Sequence, residues 1–305
     1  MPSKQVLILG FFYASLSTSI GGMTVALTRL IIDQTDPLSL AALRYCIGGL
    51  VLAVILYFTR KPPKIQYGDW LAIIALGIIM FAAFPYCMAK SLEDTTAARG
   101  GLLFSAMPLI TILLAAIFRI EKLTATKSIA VLIAMAGTAI ALGEDVGNIA
   151  PNALTGDAFM FLGMFSVSIF NVFSRRYLAQ YGNLALMTYT LFFGVVTLSI
   201  LAMIFGKPLS GSLSFDLEGW FIVFLLAVPG GSVMFLAWGR ALQMISPTQA
   251  TIAVGFNPVT AILLGAWLLS EPVSYRLLIG FTLVIIAILI SARDSGHDKR
   301  PFKYS

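Results

Sequence analysis

Charge is what this chain has least of. Only 11% of its 305 residues are Asp, Glu, Lys or Arg, against about 25% in a soluble domain. It has one histidine, His297, in the polar tail, which removes histidine base chemistry and His-ligated metal sites from the apolar body. The two cysteines, Cys46 and Cys87, both fall in apolar stretches, so a disulfide framework is excluded and each reads as a small buried side chain. No acidic residue lies deep in an apolar stretch; a proton or sodium relay through the core would display one. The sequence contains no G-x-x-x-x-G-K-[ST], so ATP does not power the chain directly, and no H-E-x-x-H. Together with the lack of paired deep carboxylates, this argues against a membrane-embedded enzyme. No catalytic residue, metal or cofactor is expected.

What is present is apolar. Hydrophobic residues make up 59% of the chain and the mean hydropathy is +0.92. A helix needs about 20 apolar residues to cross ~30 Å of hydrocarbon, and ten segments qualify: 6–28, 38–58, 69–89, 96–118, 125–142, 155–175, 184–205, 219–239, 247–269 and 274–292. Alternating strands of a barrel are absent. The first stretch is too long for a cleaved signal and is expected to be a retained span.

The ten spans are one five-span unit written twice. Trp70 matches Trp220, Lys90 matches Arg240, Pro108 matches Pro258 and Glu121 matches Glu271, each pair 150 residues apart. Gly48 matches Gly194 at an offset of 146. Five is odd, so the second unit enters the bilayer from the opposite face. The expected fold is an all-α membrane protein of two inverted repeats, residues 1–142 and 155–292, with a linker at 143–154 and a polar tail at 293–305. Inverted repeats are the usual plan of a secondary carrier, with the substrate site where they meet.

The net charge of +6 does not mark a nucleic-acid binder, because the basic residues are scattered through short loops. Sorted by loop, Arg29, Lys90, Arg99, Lys207 and Arg276 fall on one side, Arg44 falls within a span, and the rest of the 20 Lys and Arg fall on the other. The positive-inside rule then puts both termini and the tail in the cytoplasm, with the linker outside.

The run Gly101-Leu102-Leu103-Phe104-Ser105-Ala106-Met107-Pro108-Leu109-Ile110, followed by Leu113-Leu114-Ala115 and Glu121-Lys122-Leu123, resembles the signature of EamA-type drug/metabolite transporters. Ala253-Val254-Gly255-Phe256-Asn257-Pro258-Val259, Leu263-Leu264-Gly265 and Ser270-Glu271-Pro272 form its second copy, and Gly137 and Gly280 in the spans that follow also fit. The resemblance covers nearly the whole chain. It implies a central cavity lined mainly by spans one, three, four, six, eight and nine. It also implies export or exchange of small metabolites, neutral or aromatic amino acids among them, across the plasma (inner) membrane. A facilitative channel, or an exporter of nucleobase-like or drug-like compounds, stands as the alternative. The partners are a small-molecule substrate and the lipid bilayer, without nucleic acid or ATP.

Several residues are candidates for that site. Pro108 and Pro258 sit mid-span, where proline removes a donor and crowds the carbonyl one turn earlier; they frame the cavity or are ordinary membrane prolines. Pro229, Gly230 and Gly231 interrupt span eight as a hinge or a close-packing surface, and Pro85 in span three is not their image. Arg44 is costly inside a bilayer. It either attracts a substrate carboxylate or snorkels, pairing with Asp33 or Asp36. Ser17, Ser105, Asn171 and Asn257 offer hydrogen bonds. Tyr13, Tyr86 and Trp238 offer aromatic surface with a polar tip, or plain packing. Lys90, Arg240, Glu121 and Glu271 sit at span ends as gating charges or as solvated charges at the interface.

Overall fold

The computed structural model describes residues 4–31, 34–59, 63–94, 106–142, 153–209, 213–269 and 275–293. Among them are ten apolar helices and no strand. They are α1 (Lys4–Ile31), α2 (Pro37–Thr59), α3 (residues 70–94), α4 (Met107–Ile117) and α5 (Ala125–Leu142) in the first half. The second half has α6 (Ala153–Tyr181), α7 (Asn183–Phe205), α8 (residues 217–244), α9 (residues 247–269) and α10 (Tyr275–Arg293). Seven helical segments are long and apolar enough to cross a membrane; Met107–Ile117, Ala125–Ile140 and Leu278–Arg293 are apolar but shorter. Ser105, Glu271, Asp33, residues 143–152 of the expected linker and residues 294–305 of the expected tail lie outside the described residues; Ala153 and Leu154 already belong to α6, and Arg293 closes α10.

The helix ends follow local chemistry. Asp36 caps α2, its Oδ1 accepting from Ser39 N at 2.9 Å, with Pro37 in the first turn, where its missing N–H costs nothing. Asp216 accepts from Gly219 N at 2.8 Å to cap α8. Ser246 and Gln249 form a reciprocal capping box at the start of α9. The helix α6 runs six residues beyond the expected end at 175. Arg175 and Arg176 do not stop it, because their long stems let the charge reach water while the backbone stays helical. Gly182 does, with φ at +82°, a conformation that glycine adopts without strain.

The packing has two-fold character. Helix α1 packs on α8 and α9, and α6 packs on α3 and α4, each pairing the repeat image of the other. Three further contacts join a helix to its own image: α2 to α7, α4 to α9 and α5 to α10. An apolar face gains little by meeting another helix in lipid, so close approach through small residues must supply the attraction. A Cβ on Gly48 would sit 2.7 Å from Ala227 O, and one on Gly194 would sit 2.5 Å from Gly77 O. Gly48 and Gly194 are images, and so are Ala227 and Gly77. The same glycine therefore opens the same joint in both halves. Gly137 performs the equivalent service for α5 on α10, where a Cβ would lie 2.8 Å from Gly280 O.

The start of α1 and the close of α10 reach the same end of the bundle. Gly10 of α1 lies against Ile245 at the corner between α8 and α9, and Gln249 Nε2 at that corner donates to Ser291 O near the close of α10, 3.1 Å away. This is the terminal end; the opposite one is the far end.

Candidate functional site

At mid-depth both repeats break their α-helical ladder in the same place. In α3 the turn Ile79–Ala83 is π-helical, and Phe84 N donates to Ile79 O. In α8 the turn Val228–Val233 is π-helical, and Met234 N donates to Pro229 O. The two turns are 150 residues apart. Pro229 supplies a cause in α8, since it cannot donate to the carbonyl one turn back. Glycine follows because α1 passes close by: a Cβ on Gly230 would lie 2.4 Å from Thr24 Cγ2. The α3 turn has neither proline nor glycine within it. Its counterpart of the Pro-Gly-Gly interruption was therefore invisible in sequence; Pro85, two residues beyond, was the only cue.

Four aromatic rings meet at the level of these turns. Phe81, inside the α3 turn, contacts Phe235 edge-on at 4.7 Å between centroids, and Phe170 of α6 at 5.9 Å. Tyr45 of α2 closes the group against Phe235 at 5.6 Å and Phe81 at 6.1 Å. All four are buried, and the perpendicular geometry suits ring quadrupoles. The halves thus meet here on an aromatic plug. No sequence periodicity marked these residues, because phenylalanine is everywhere in the spans.

Arg44 borders the plug toward the far end. It lies seven residues into α2, roughly 10 Å along the helix. Its guanidinium carbon stacks 4.6 Å above the Tyr45 ring, and Nη2 donates to Tyr45 Oη at 2.9 Å. Nε is buried without a partner. Asp36 instead caps α2 and accepts from Lys207 N. The repeat image of Arg44 is Thr190, buried, whose hydroxyl bonds Leu186 O of its own helix. The cation is thus no part of the shared architecture.

On the other side of the plug, Trp238 Nε1 donates to Asn171 Oδ1 at 2.8 Å, while Asn171 Nδ2 is buried and unpartnered. Ser17 Oγ donates to Met234 O just past the α8 turn, at 2.8 Å. Asn257 sits over Gly21, where a Cβ would come within 2.8 Å of its Nδ2. Pro258 falls in the first turn of the helix Phe256–Leu269, after a 3-10 turn at Ala253–Gly255, and Pro108 falls in the first turn of α4. In that position proline forfeits no helical bond, so the two mark where a helix segment starts. Tyr13 pairs edge-on with Phe12, and Tyr86 tilts against Phe205 of α7; neither joins the plug.

The terminal end is stitched by polar contacts. Lys127 Nζ and Glu121 Oε2 form an ion pair at 3.1 Å with both side chains nearly sealed, 3% and 1% exposed. Glu121 Oε1 also accepts from Thr248 N at 3.1 Å, which ties the first half to α9. Arg240 is exposed and donates to Gln243 Oε1, and Gln243 Nε2 donates to Leu178 O at 2.8 Å. Asn183 Nδ2 donates to Leu236 O. At the start of α3, Asp69 Oδ2 accepts from Tyr181 Oη and from Gln180 Nε2 of α6. Lys90 is half-buried near the far end of α3. Of the expected charges, Glu121 thus finds its partners in Lys127 and a backbone amide. Neither partner is marked by a motif; the signal in the sequence is a lysine six residues on.

An all-helical bundle of two antiparallel five-helix halves, meeting on a plug between matched helix breaks, is the build of a membrane transporter. Family comparison agrees. The EamA-like transporter family model matches residues 8–143 and 154–293, and the chain belongs to that family. It is 25% identical to the uncharacterized transporter YyaM of Bacillus subtilis (strain 168), over 94% of this chain and 92% of that protein. It is 26% identical to the uncharacterized inner membrane transporter YedA of Escherichia coli (strain K12), over 89% and 86%. A solved structure described only as "Crystal structure of protein" superposes with a TM-score of 0.74 at 21% identity, covering 91% of this chain and 96% of that one; this likeness speaks to the fold alone.

Proposed function

We propose that the protein is a secondary carrier of the plasma (inner) membrane that exports neutral or aromatic amino acids by alternating access. Both termini face the cytoplasm in this reading. The observation that carries it is the pair of π-helical turns at equivalent depth in α3 and α8, around a plug that both halves share. A π turn interrupts the helical ladder and is a common site of bending. Two such joints, one per inverted half, let each half yield at opposite ends of the bundle in turn. The inner-membrane setting of YedA and the sorting of Lys and Arg support the location and topology.

Arg44 would hold the substrate carboxylate, with Tyr45 and Phe235 against its apolar body. A cation in a span with no carboxylate within reach among the described residues needs an anion for part of its cycle. Protein in liposomes should take up labelled neutral amino acids saturably, faster when the opposite side holds unlabelled substrate. Arg44→Gln should raise KM roughly tenfold or more, the worth of one charge-assisted contact. Flux that is linear in concentration, without acceleration from the opposite side, would make the protein a channel. Equal KM for Arg44→Gln would remove Arg44 from the site.

A further inference from the structure

The buried ion pair at the terminal end needs an explanation that stability does not provide. Burying two charges costs solvation that their attraction only sometimes recovers, and apolar residues of the same volume often serve better. Yet Glu121 and Lys127 are 4% and 2% exposed overall. They also stand at a boundary. Glu121 and Lys127 belong to the first half, at the corner between α4 and α5. The amide that Glu121 holds, Thr248 N, belongs to the second half and opens α9. The segment Pro247–Ile252 ends at the 3-10 turn Ala253–Gly255, so it forms a short lever set off from the rest of its helix. Gln249, on that lever, reaches Ser291 O of α10.

We propose that Glu121, held by Lys127 and seated on the Thr248 amide, is the latch that keeps the terminal end of the carrier shut, and that each transport cycle breaks it. Its chemistry suits a switch. While the end is dry, the Glu121–Lys127 pair and the Thr248 amide meet away from water, and the contact is strong. Once water enters, both charges regain solvation and little draws the lever back. The closed state is then favoured only while it is closed, which is what a two-position gate requires. Arg240, exposed and bonded within its own helix, takes no part. The latch rests on the carrier reading for its purpose, but its test reads gate opening without substrate.

The test uses full-length protein in nanodiscs, with Cys46 and Cys87 replaced by alanine and one reporter, Ala250→Cys. Ala250 is fully buried on the lever. A membrane-impermeant maleimide then measures how often the end opens. Glu121→Gln keeps the size and an acceptor for Thr248 but discharges the pair, and labelling should rise roughly tenfold or more. The exchange of Glu121→Lys with Lys127→Glu restores the ion pair yet leaves Thr248 N without an acceptor. Labelling should stay high in that variant if the tie across the halves matters, and return to the unmodified rate if the pair is merely structural. If Glu121→Gln cannot be purified, Lys127→Met carries the same test, since it leaves Glu121 on the amide. Unchanged labelling in Glu121→Gln or Lys127→Met, or full recovery in the exchange, overturns the latch. Faster labelling in a protein that moves no amino acid would keep the latch and count against the proposed substrate alone.

Discussion

Two joints in this bundle occupy equivalent places and are built from opposite materials. Where α3 begins beside the close of α6, at the terminal end, the contact is polar. Asp69 is buried and accepts from Tyr181 and Gln180, and Tyr181 Oη also accepts from Gln66 N at 3.2 Å. Its repeat image, where α8 begins beside the close of α1 at the far end, is apolar: Leu27 and Ile31 pack with Leu40, Ile222, Val223 and Leu226. In water the apolar joint would be the stronger. In a bilayer it is not, because lipid tails solvate leucine as well as another leucine does. The polar joint keeps its bonds only while the helices stay together. On the proposed carrier reading, the asymmetry favours parting at the far end, and it fits a terminal end latched by Glu121 and Lys127.

The largest effect should come from the feature the two halves share. A Cβ on Gly194 would lie 2.3 Å from Phe81 Cβ and 2.5 Å from Gly77 O; one on Gly48 would lie 2.7 Å from Ala227 O. These neighbours are backbone or near-backbone atoms that cannot swing aside. Gly194→Ala and Gly48→Ala should each cost about 3 kcal/mol, the upper part of the range for overpacking, read as a lower thermal midpoint in detergent. Gly49→Ala is the control, because its Cβ would meet only Leu191 at 3.6 Å, ordinary contact. If Gly48 and Gly194 tolerate alanine as well as Gly49 does, the shared close approach is not what joins α2 to α8 and α7 to α3.

Next in size is Asp69→Leu, which makes the polar joint resemble its apolar image. It removes a charged acceptor from the buried Tyr181 hydroxyl and from exposed Gln180, and should cost about 2 kcal/mol, most of it at Tyr181. Val223→Ala at the apolar joint should cost about 1 kcal/mol, the packing lost with two methyl groups. Both can be followed by the same thermal midpoint. If the two substitutions cost the same, the joints are equivalent in strength and the argument for preferential opening at the far end fails.

Much of this arrangement was legible in the residues. Hydropathy gave ten helices, and the 150-residue register of Trp70 with Trp220 and Glu121 with Glu271 gave the two halves, because a span must bury its backbone and a repeat keeps its numbering. Pairings across the halves were not legible. Asn171 and Trp238 each stand out as polar groups within spans, but nothing in either segment says that one bonds the other. Thr248 is not legible either, because its contribution is a backbone amide, which every residue but proline possesses. The π turn of α3 reads as plain Ile79-Met80-Phe81-Ala82-Ala83; only its image in α8 carries the Pro-Gly-Gly that declares a break.

That contrast between the two π turns allows the finest test. In α8, Ser232 Oγ donates to Gly48 O at 2.8 Å, buried, so the turn is tied to α2 by a side-chain bond as well as by close approach. The image of Ser232 in α3 is Ala82, also buried, which has no hydroxyl to offer. Interhelical bonds of this kind average about 0.6 kcal/mol in membranes, since the separated helices find other partners. Ser232→Ala should therefore shift stability by about 0.6 kcal/mol and make α8 equivalent to α3 at this position. Exchange rates of the amides following each turn, measured by hydrogen–deuterium exchange in nanodiscs, should then converge. If α8 already exchanges as fast as α3 with Ser232 in place, the serine adds nothing to the turn. The two hinges would then differ only in how their sequences produce the same break, by proline in α8 and by tertiary packing against α7 in α3.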